Sequence, residues 1–216
     1  NLEPLTKLPT GAVVDYMECA VIQCTDVGDQ LDKIAPELGV KLNRIQTGGT
    51  PEEISAAFDR AVNDKPAAVL VPAIPSSLWS KQLAALEKQG THVIVWTTPD
   101  EPGNGIDKVF LDSAAYTANG ELMADWVIAD SDGAAKSVFI QIAAFPVLET
   151  MEKAYAAHLE KQCPACSYEN VTVQGTDIGK NLPSRVVSYL QSKPDTDYVV
   201  ISFGGMVLGV PEALKA

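Results

Sequence analysis

Four cysteines are the side chains whose spacing points most directly to chemistry. Cys19 and Cys24 form one close pair, and Cys163 and Cys166 form a C-x-x-C pair within the run CPAC. Such pairs predict disulfides and an oxidising compartment. Reduced structural thiols or a metal or redox site stay open as alternatives, although the first pair lacks the spacing of a zinc knuckle. A redox C-x-x-C opens a helix, whereas CPAC follows a predicted helix, which favours a structural disulfide.

The common catalytic motifs are missing from the sequence. The nucleophile elbow G-x-S-x-G is incomplete around Ser202, because Val200 stands where its first glycine should be. There is no Walker A motif and no G-x-G-x-x-G after the first predicted strand. The run DSDG at residues 130–133 lacks the rest of a calcium-binding loop and predicts a turn. We therefore predict no catalytic residue, no metal and no cofactor.

Strands and helices are predicted to alternate along the chain. A continuous apolar run, AAVLV, predicts a strand buried on both faces. The run GGTPEE predicts a helix start, with Thr50 as N-cap, Pro51 in the first turn and Glu53 closing a capping box. Ser76 or Ser77 is expected to cap the next helix. The strands are predicted at residues 12–17, 40–45, 67–71, 93–96, 108–111, 137–142, 168–173 and 198–202. The helices are predicted at residues 26–38, 51–63, 78–89, 114–129, 147–161 and 182–191, with a last one beginning near Met206.

This order predicts an α/β fold of two doubly wound parallel sheets. A segment rich in Pro, Gly and Asp interrupts the alternation near residue 100. We therefore expect an N-terminal lobe at residues 1–111 and a C-terminal lobe at residues 112–216. The second lobe shows only three predicted strands, so we expect it to be incomplete in this sequence, since an open sheet edge is normally covered.

Composition and charge exclude several classes of protein. The chain has 216 residues, of which 46% are apolar and 20% charged, with a net charge of −12. The apolar fraction is that of a globular protein, and no window is apolar for long enough to span a membrane. An acidic chain without a Lys/Arg cluster is not expected to bind nucleic acid.

Several ordered segments give the sequence a family resemblance. They are GGTPEE, AAVLVPAIPSSLWSKQLAALEKQGTHVIVWTT, FLDSAAYTANGELMADWVIAD, KSVFIQIAA and KPDTDYVVISFGGMVLGVPEAL. Together they resemble the type 1 periplasmic solute-binding proteins of ABC transporters, in particular the ribose-binding-like group. The resemblance implies two lobes joined by a hinge, a small-molecule solute held between them and a membrane permease as partner. It also implies an extracytoplasmic location, periplasmic or as a cell-surface lipoprotein, although the sequence shows no signal peptide.

The resemblance also implies where a ligand would bind. Ligands of open α/β sheets lie beyond the carboxyl ends of the strands, so the candidate residues are those that end or follow a strand. The ligand-binding candidates are Tyr16, Glu18, Trp96, Thr97, Thr98, Asp112, Gln141, Phe145, Met151, Asp177 and Phe203. For several of them a structural role is the alternative: Glu18 as a solvated loop acid, Asp112 as a hinge or cap residue, and Trp96 as core. Trp126 and Tyr155 lie within predicted helices and are expected in the core.

The sequence departs from the sugar binders of this family at three places. Thr97 and Thr98 stand where those proteins usually have Asp and Arg, Met151 where they have Arg, and Phe203 near a usual amide. A further aspartate of the family would fall beyond Ala216. A sugar hydroxyl buried without a partner costs about 1–3 kcal/mol. We therefore expect either a smaller or less polar ligand, or polar contacts from residues beyond Ala216. Sugars and polyols are the first expectation and a less polar molecule the second.

Two other functions are alternatives to solute capture. One is the effector-binding domain of a transcriptional regulator of the lac-repressor type, which shares the fold but needs an N-terminal helix-turn-helix. The opening run NLEPLTKLPT is too short and too rich in proline to form one. The other is a thiol oxidoreductase, which would need a reactive Cys163 of low pKa.

Overall fold

The computed structural model describes residues 7–142 and 145–215. The chain divides between Asp112 and Ser113 into two compact units, which we call unit 1 and unit 2. Within the described residues, no helix combines the length and apolar character needed to cross a bilayer. The opening residues 1–6, where part of the run NLEPLTKLPT falls, lie outside the described residues, as do residues 143–144 and 216.

Unit 1 is built on a five-stranded parallel sheet in the order β2-β1-β3-β4-β5. Its strands are β1 (Val13–Glu18), β2 (Lys41–Gln46), β3 (Ala68–Pro72), β4 (His92–Trp96) and β5 (Lys108–Phe110). Its helices are α1 (Ile22–Ile34), α2 (Pro51–Asp64) and α3 (Ser80–Gln89). The hydrophobic core lies between one sheet face and helices α2 and α3, where the Phe58 and Trp79 rings stack 4.1 Å apart.

Helix starts in unit 1 agree with the sequence only where a side chain caps them. Thr50 and Glu53 form the predicted capping box at the start of α2. In contrast, α1 begins at Ile22, four residues before the prediction. Val21 precedes it without any side-chain cap, so no capping residue in the sequence marks this start. The predicted serine cap of α3 is wrong: Ser76 and Ser77 lie in a 3₁₀ turn, and the Ser76 hydroxyl donates to Asp100 Oδ1 at 2.6 Å.

Unit 2 contains a three-stranded parallel sheet in the order β7-β6-β8. Its strands are β6 (Lys136–Ile142), β7 (Ser167–Val173) and β8 (Tyr198–Ile201), and its helices are α4 (Ser113–Asp130), α5 (Pro146–Gln162), α6 (Leu182–Ser192) and α7 (Val210–Ala213). The last predicted helix differs from the structure, since Met206 lies in a 3₁₀ turn and α7 begins at Val210. Every strand pairing of the two sheets is parallel, which confirms the predicted α/β class.

Helices α4 and α5 pack closely because of one glycine. A Cβ atom at Gly120 would overlap the backbone carbonyl of Met151 and lie 3.0 Å from the backbone nitrogen of Tyr155. Both neighbours are backbone atoms of α5, so neither can move aside without moving the helix.

We expect Gly120→Ala to destabilise unit 2. Because the obstacle is a helix backbone and not a flexible side chain, the overlap should cost towards the upper end of about 1–3 kcal/mol. This outweighs the roughly 1 kcal/mol that alanine gains over glycine in a helix. Urea unfolding measures the change. Gly204→Ala is the matched control in the same unit, since a Cβ there meets open space. Equal stability of the two variants would contradict the close-contact argument.

A buried carboxyl lies in the middle of the unit 1 sheet. Asp15 has no exposed surface, and its Oδ1 accepts a 2.8 Å hydrogen bond from Asn43 Nδ2. Its Oδ2 atom has no hydrogen-bond partner among the described residues. Burial raises the pKa of Asp15, and the hydrogen bond from Asn43 offsets this only in part. The folded state therefore favours the protonated acid.

A raised pKa makes the Asp15 carboxylate a cost at neutral pH. Below the unfolded-state pKa of about 3.9 both states are protonated and Asp15 costs nothing through ionisation. As the pH rises through the folded-state pKa, stability falls by about 1.4 kcal/mol for each unit of the shift. Asp15→Asn should therefore be more stable than the parent at pH 7, with an advantage that shrinks towards pH 4. Urea unfolding of both proteins at pH 7 and pH 4 measures the difference, and equal stability at pH 7 would contradict the cost of burial.

Candidate functional site

The strands of unit 1 bring four of the predicted residues to one edge of its sheet. Tyr16 and Glu18 lie at the end of β1, Trp96 ends β4 and Thr98 follows it. Because all strands are parallel, their carboxyl ends meet at the same edge. We call the part of the molecule formed by these four residues the carboxyl edge of unit 1.

Tyr16 and Trp96 form an aromatic pair at this edge. Their rings are nearly parallel, with an interplanar angle of 6° and centroids 6.1 Å apart. Tyr16 is completely buried, and its hydroxyl donates to the carbonyl oxygen of Cys24 at 2.7 Å. Burial raises the pKa of Tyr16, so the hydroxyl stays a donor at physiological pH. Trp96 is half-buried, which leaves part of its ring available for contact.

Glu18 is not a solvated loop acid. Its side chain is buried, and Arg44 Nε donates to Glu18 Oε2 at 2.5 Å. The Thr25 hydroxyl donates to the other carboxylate oxygen at 2.8 Å. The hydrogen bond from Arg44 is the main reason that the pKa of Glu18 is lowered, against the effect of burial. Glu18 is thus an ionised group whose two oxygens are bound by its own unit.

Thr97 and Thr98 have different environments although they are adjacent. Thr97 has a positive φ of 60°, and its backbone N–H donates to the carbonyl oxygen of Phe110 at 3.1 Å. This conformation is uncommon for a β-branched residue. Thr98 has no exposed surface, and its Oγ1 has no hydrogen-bond partner among the described residues. Asp112 is the last residue of unit 1.

Three predicted residues lie in unit 2 near the carboxyl end of a strand or between a strand and the next helix. Gln141 is near the end of β6, Phe145 precedes α5 and Phe203 follows β8. We call these three residues the carboxyl edge of unit 2. Both phenylalanines are half-buried and pack against the core of this unit. Gln141 is 7% exposed, and its Oε1 atom has no hydrogen-bond partner among the described residues.

The two remaining candidates, Met151 and Asp177, contact groups within unit 2. Met151 is 1% exposed and belongs to the hydrophobic core beneath α5, so it is not one of the side chains that the edge brings together. Asp177 accepts hydrogen bonds from the backbone N–H of Gln174 at 3.1 Å and from Arg185 Nη1 at 2.5 Å. The backbone bond is the main cause of the lowered pKa of Asp177. Its carboxylate is therefore bound within unit 2.

The cysteines form both of the predicted disulfides, Cys19–Cys24 and Cys163–Cys166. No free thiol remains in the chain, so the alternatives of reduced thiols and a zinc site built on cysteine are wrong. Residues 7–142 and 145–215 contain no cluster of His, Cys, Asp and Glu that could hold a metal ion.

Sequence reasoning missed Arg44 and misplaced Trp126. Arg44 sits on β2 and binds Glu18, Asp29 and Asp32. A signal for it exists, since Asp29 and Asp32 are spaced one turn apart on α1 beside the small residue Gly28. Trp126 is 63% exposed and contacts Tyr198 edge-on, so its predicted place in the core is wrong, whereas Tyr155 is buried as expected.

The family profile of the periplasmic binding protein domain matches residues 22–216. The chain belongs to this family. No significant match is found among curated proteins.

Several solved structures share the fold of this periplasmic binding protein domain. The 5-methylthioribose transporter solute-binding protein from Thermotoga lettingae superposes with a TM-score of 0.83 at 14% identity, over 96% of this chain and 65% of its own. An ABC transporter solute-binding protein from Burkholderia graminis, solved with D-arabinose, gives 0.81 at 15% identity, over 96% and 71%. One from Mycobacterium smegmatis, solved with glycerol, gives 0.77 at 18% identity, over 94% and 70%. This chain thus spans about two thirds of the length of these proteins.

We expect Tyr16→Phe to destabilise unit 1. Loss of the hydroxyl leaves the buried Cys24 carbonyl without this donor, which should cost about 1–3 kcal/mol. Thermal unfolding measures the loss. Tyr198→Phe is the control, because its hydroxyl donates to Asp130 at 2.9 Å in an exposed position and should matter by less than about 0.5 kcal/mol. If Tyr16→Phe were as stable as the control, the Tyr16 hydroxyl would have no anchoring role.

Proposed function

We propose that this protein is the extracytoplasmic solute-binding component of an ABC importer. It captures a small uncharged solute, a sugar or polyol, between lobes formed by residues 1–111 and 112–216, and delivers it to a membrane permease. A ligand that contacts both lobes only in a closed form would stabilise closure by the difference in its affinity for the two forms.

Two unpartnered polar atoms carry the proposal. Thr98 Oγ1 and Gln141 Oε1 are buried, one at the carboxyl edge of each unit, and neither has a hydrogen-bond partner among the described residues. Buried polar groups nearly always have a partner, and leaving one without a partner costs about 1–3 kcal/mol. A bound hydroxyl group would supply the missing hydrogen bond at either position. Both atoms lie where ligands of open α/β sheets bind.

The charges at the two edges favour an uncharged solute. Glu18 is bound by Arg44 and Thr25, and Asp177 by Arg185 and Gln174. Asp100, which follows β4, accepts hydrogen bonds from the backbone N–H and the hydroxyl of Ser76. Since these carboxylates already have partners, a cationic ligand would have to displace a bond that the fold makes.

The relatives and the disulfides agree with this assignment. The structures with the same fold include proteins solved with 5-methylthioribose, D-arabinose and allitol. Two disulfides indicate an oxidising compartment, which favours export over the cytosolic site of a transcriptional regulator. The half-buried rings of Trp96, Phe145 and Phe203 support a less polar ligand as a second candidate, because flat apolar faces suit C–H-rich surfaces.

Isothermal titration calorimetry with D-arabinose, allitol and 5-methylthioribose tests the proposal. Charged analogues, D-glucosamine and D-gluconate, are the comparison ligands. We expect saturable binding of at least one uncharged ligand and none of the charged ones. Binding of the charged pair alone would overturn the charge argument, and no binding by any of the five would overturn the sugar or polyol assignment.

Thr98→Val should change affinity and stability in opposite directions. The isosteric valine removes a hydroxyl that has no hydrogen-bond partner among residues 7–142 and 145–215, so the protein without solute should become more stable. The same change should weaken solute binding about 2- to 10-fold, the worth of one neutral hydrogen bond. Gln141→Leu should behave alike.

Thr91→Val is the matched control at the opposite end of β4. The Thr91 hydroxyl is buried and donates to the carbonyl oxygen of Pro66 at 2.9 Å. Its loss should lower stability and leave affinity unchanged. If Thr98→Val lowered stability and spared affinity in the same way, Thr98 would be a structural residue.

A further inference from the structure

Each of the three guanidinium nitrogens of Arg44 donates a hydrogen bond to a group of unit 1. Its Nε donates to Glu18, and its Nη1 donates to Asp29 Oδ1 at 2.6 Å and to Asp32 Oδ2 at 3.0 Å. Its Nη2 donates to the carbonyl oxygen of Thr25 at 3.3 Å. The guanidinium thus joins β2 to the end of β1 and to two turns of α1.

Gly28 makes room for this arrangement. A Cβ atom at position 28 would lie 2.6 Å from Cζ of Arg44 and 2.7 Å from Nε and Nη2. The guanidinium therefore lies directly against the backbone of α1, which no other residue type at this position would allow without displacing it.

The groups that Arg44 binds are those that fix the turn from β1 to α1. Glu18 is followed by Cys19, whose disulfide to Cys24 closes the turn. Thr25, which follows Cys24, bonds to Arg44 through its carbonyl and to Glu18 through its hydroxyl. Ion pair, disulfide and hydroxyl together define the position of the Cys24 backbone.

The Cys24 carbonyl in turn holds the aromatic pair. It accepts the 2.7 Å hydrogen bond of Tyr16, and the Tyr16 ring lies parallel to that of Trp96. A continuous series of direct contacts thus leads from Arg44, on a different strand, to the ring at the end of β4.

We propose that Arg44 is a positioning residue for the Tyr16–Trp96 pair, and that it sets the affinity of the carboxyl edge of unit 1 for solute through the Cys24 carbonyl. The part that concerns affinity rests on the proposed function, whereas the part that concerns ring position does not. Arg44 itself is committed to three carboxylates and a carbonyl, so its effect on a ligand is indirect.

Acrylamide quenching of tryptophan fluorescence tests the ring position without any ligand. The chain has three tryptophans: Trp79 is 1% exposed and Trp126 is 63% exposed. In a Trp126→Phe background, the quencher-accessible emission therefore comes from half-buried Trp96. We expect Arg44→Gln to raise the quenching constant in the folded protein.

Arg60→Gln is the matched control. Arg60 makes an exposed ion pair with Asp64 on α2. Arg60→Gln removes one positive charge, as Arg44→Gln does, but it should leave the quenching constant unchanged. Arg44→Lys should give an intermediate value, because an ammonium keeps the charge but not the planar fork of donors. If Arg44→Gln does not fold, Gly28→Ala replaces it as the test variant, because the added methyl group displaces the guanidinium while keeping every charge. It too should raise the quenching constant.

The affinity measurement separates the proposal from the proposed function. For a ligand that binds the parent, Arg44→Gln should raise Kd roughly tenfold, the equivalent of about 1.4 kcal/mol, and Arg60→Gln should leave Kd unchanged. If no ligand of the panel binds, the proposed function fails while quenching still decides the ring position. Lower stability of Arg44→Gln with unchanged quenching would overturn the proposal, as would a change in Kd without one in quenching.

Discussion

A buried charge must find its counter-charge inside the protein, and this requirement organises the first unit. Moving a carboxylate out of water costs several kcal/mol unless an oppositely charged donor and further hydrogen bonds compensate. Glu18 ends the strand β1 with almost no exposed surface, so Arg44 and Thr25 have to reach it. The reach of Arg44 requires a helix backbone without a side chain at Gly28. One acidic residue thus dictates the choice of three others.

Because the buried carboxylates at both carboxyl edges bind groups of their own unit, the groups there that stay available to a ligand are neutral. Asp177 is bound by Gln174 and Arg185 much as Glu18 is bound by Arg44 and Thr25. At the two carboxyl edges, the Thr98 hydroxyl and the Gln141 carboxamide oxygen are buried and have no hydrogen-bond partner among the described residues. Parallel pairing places each of them at the end of its sheet where the following loops begin. Recognition would then depend on hydrogen bonds and flat apolar rings and not on ion pairing.

The fold was predictable wherever local physics acts alone. The run AAVLV is long enough and apolar enough to specify a central strand, and Thr50 with Glu53 specifies a helix start through a contact three residues apart. The start of α1 was not predictable, because Val21 offers no cap and the helix begins at Ile22, inside the loop that the Cys19–Cys24 disulfide closes. Ser76 looked like a cap but bonds to Asp100, a partner 24 residues away that no local pattern reveals.

The sequence predicted which residues lie at the two carboxyl edges, but not what each of these residues does there. Strand ends place Tyr16, Trp96, Thr98 and Gln141, and the structure brings them to the expected edges. The role of Glu18 depended on Arg44, which lies 26 residues further along the chain and meets it only through strand pairing. Met151 and Trp126 show the limit of helix patterns, since which side of a helix is covered depends on the neighbours that pack there.

The lowered pKa values of Glu18 and Asp177 have a consequence for environments of changing acidity. A carboxyl group with a depressed pKa in the folded state contributes its stability above the unfolded-state value, about 4, and loses it only as the pH falls through the lower folded-state value. Both side chains therefore remain ionised at a lower pH than a carboxylate with an ordinary pKa does. The hydrogen bonds that these two carboxylates accept should therefore persist to a lower pH than those of a carboxylate with an ordinary pKa.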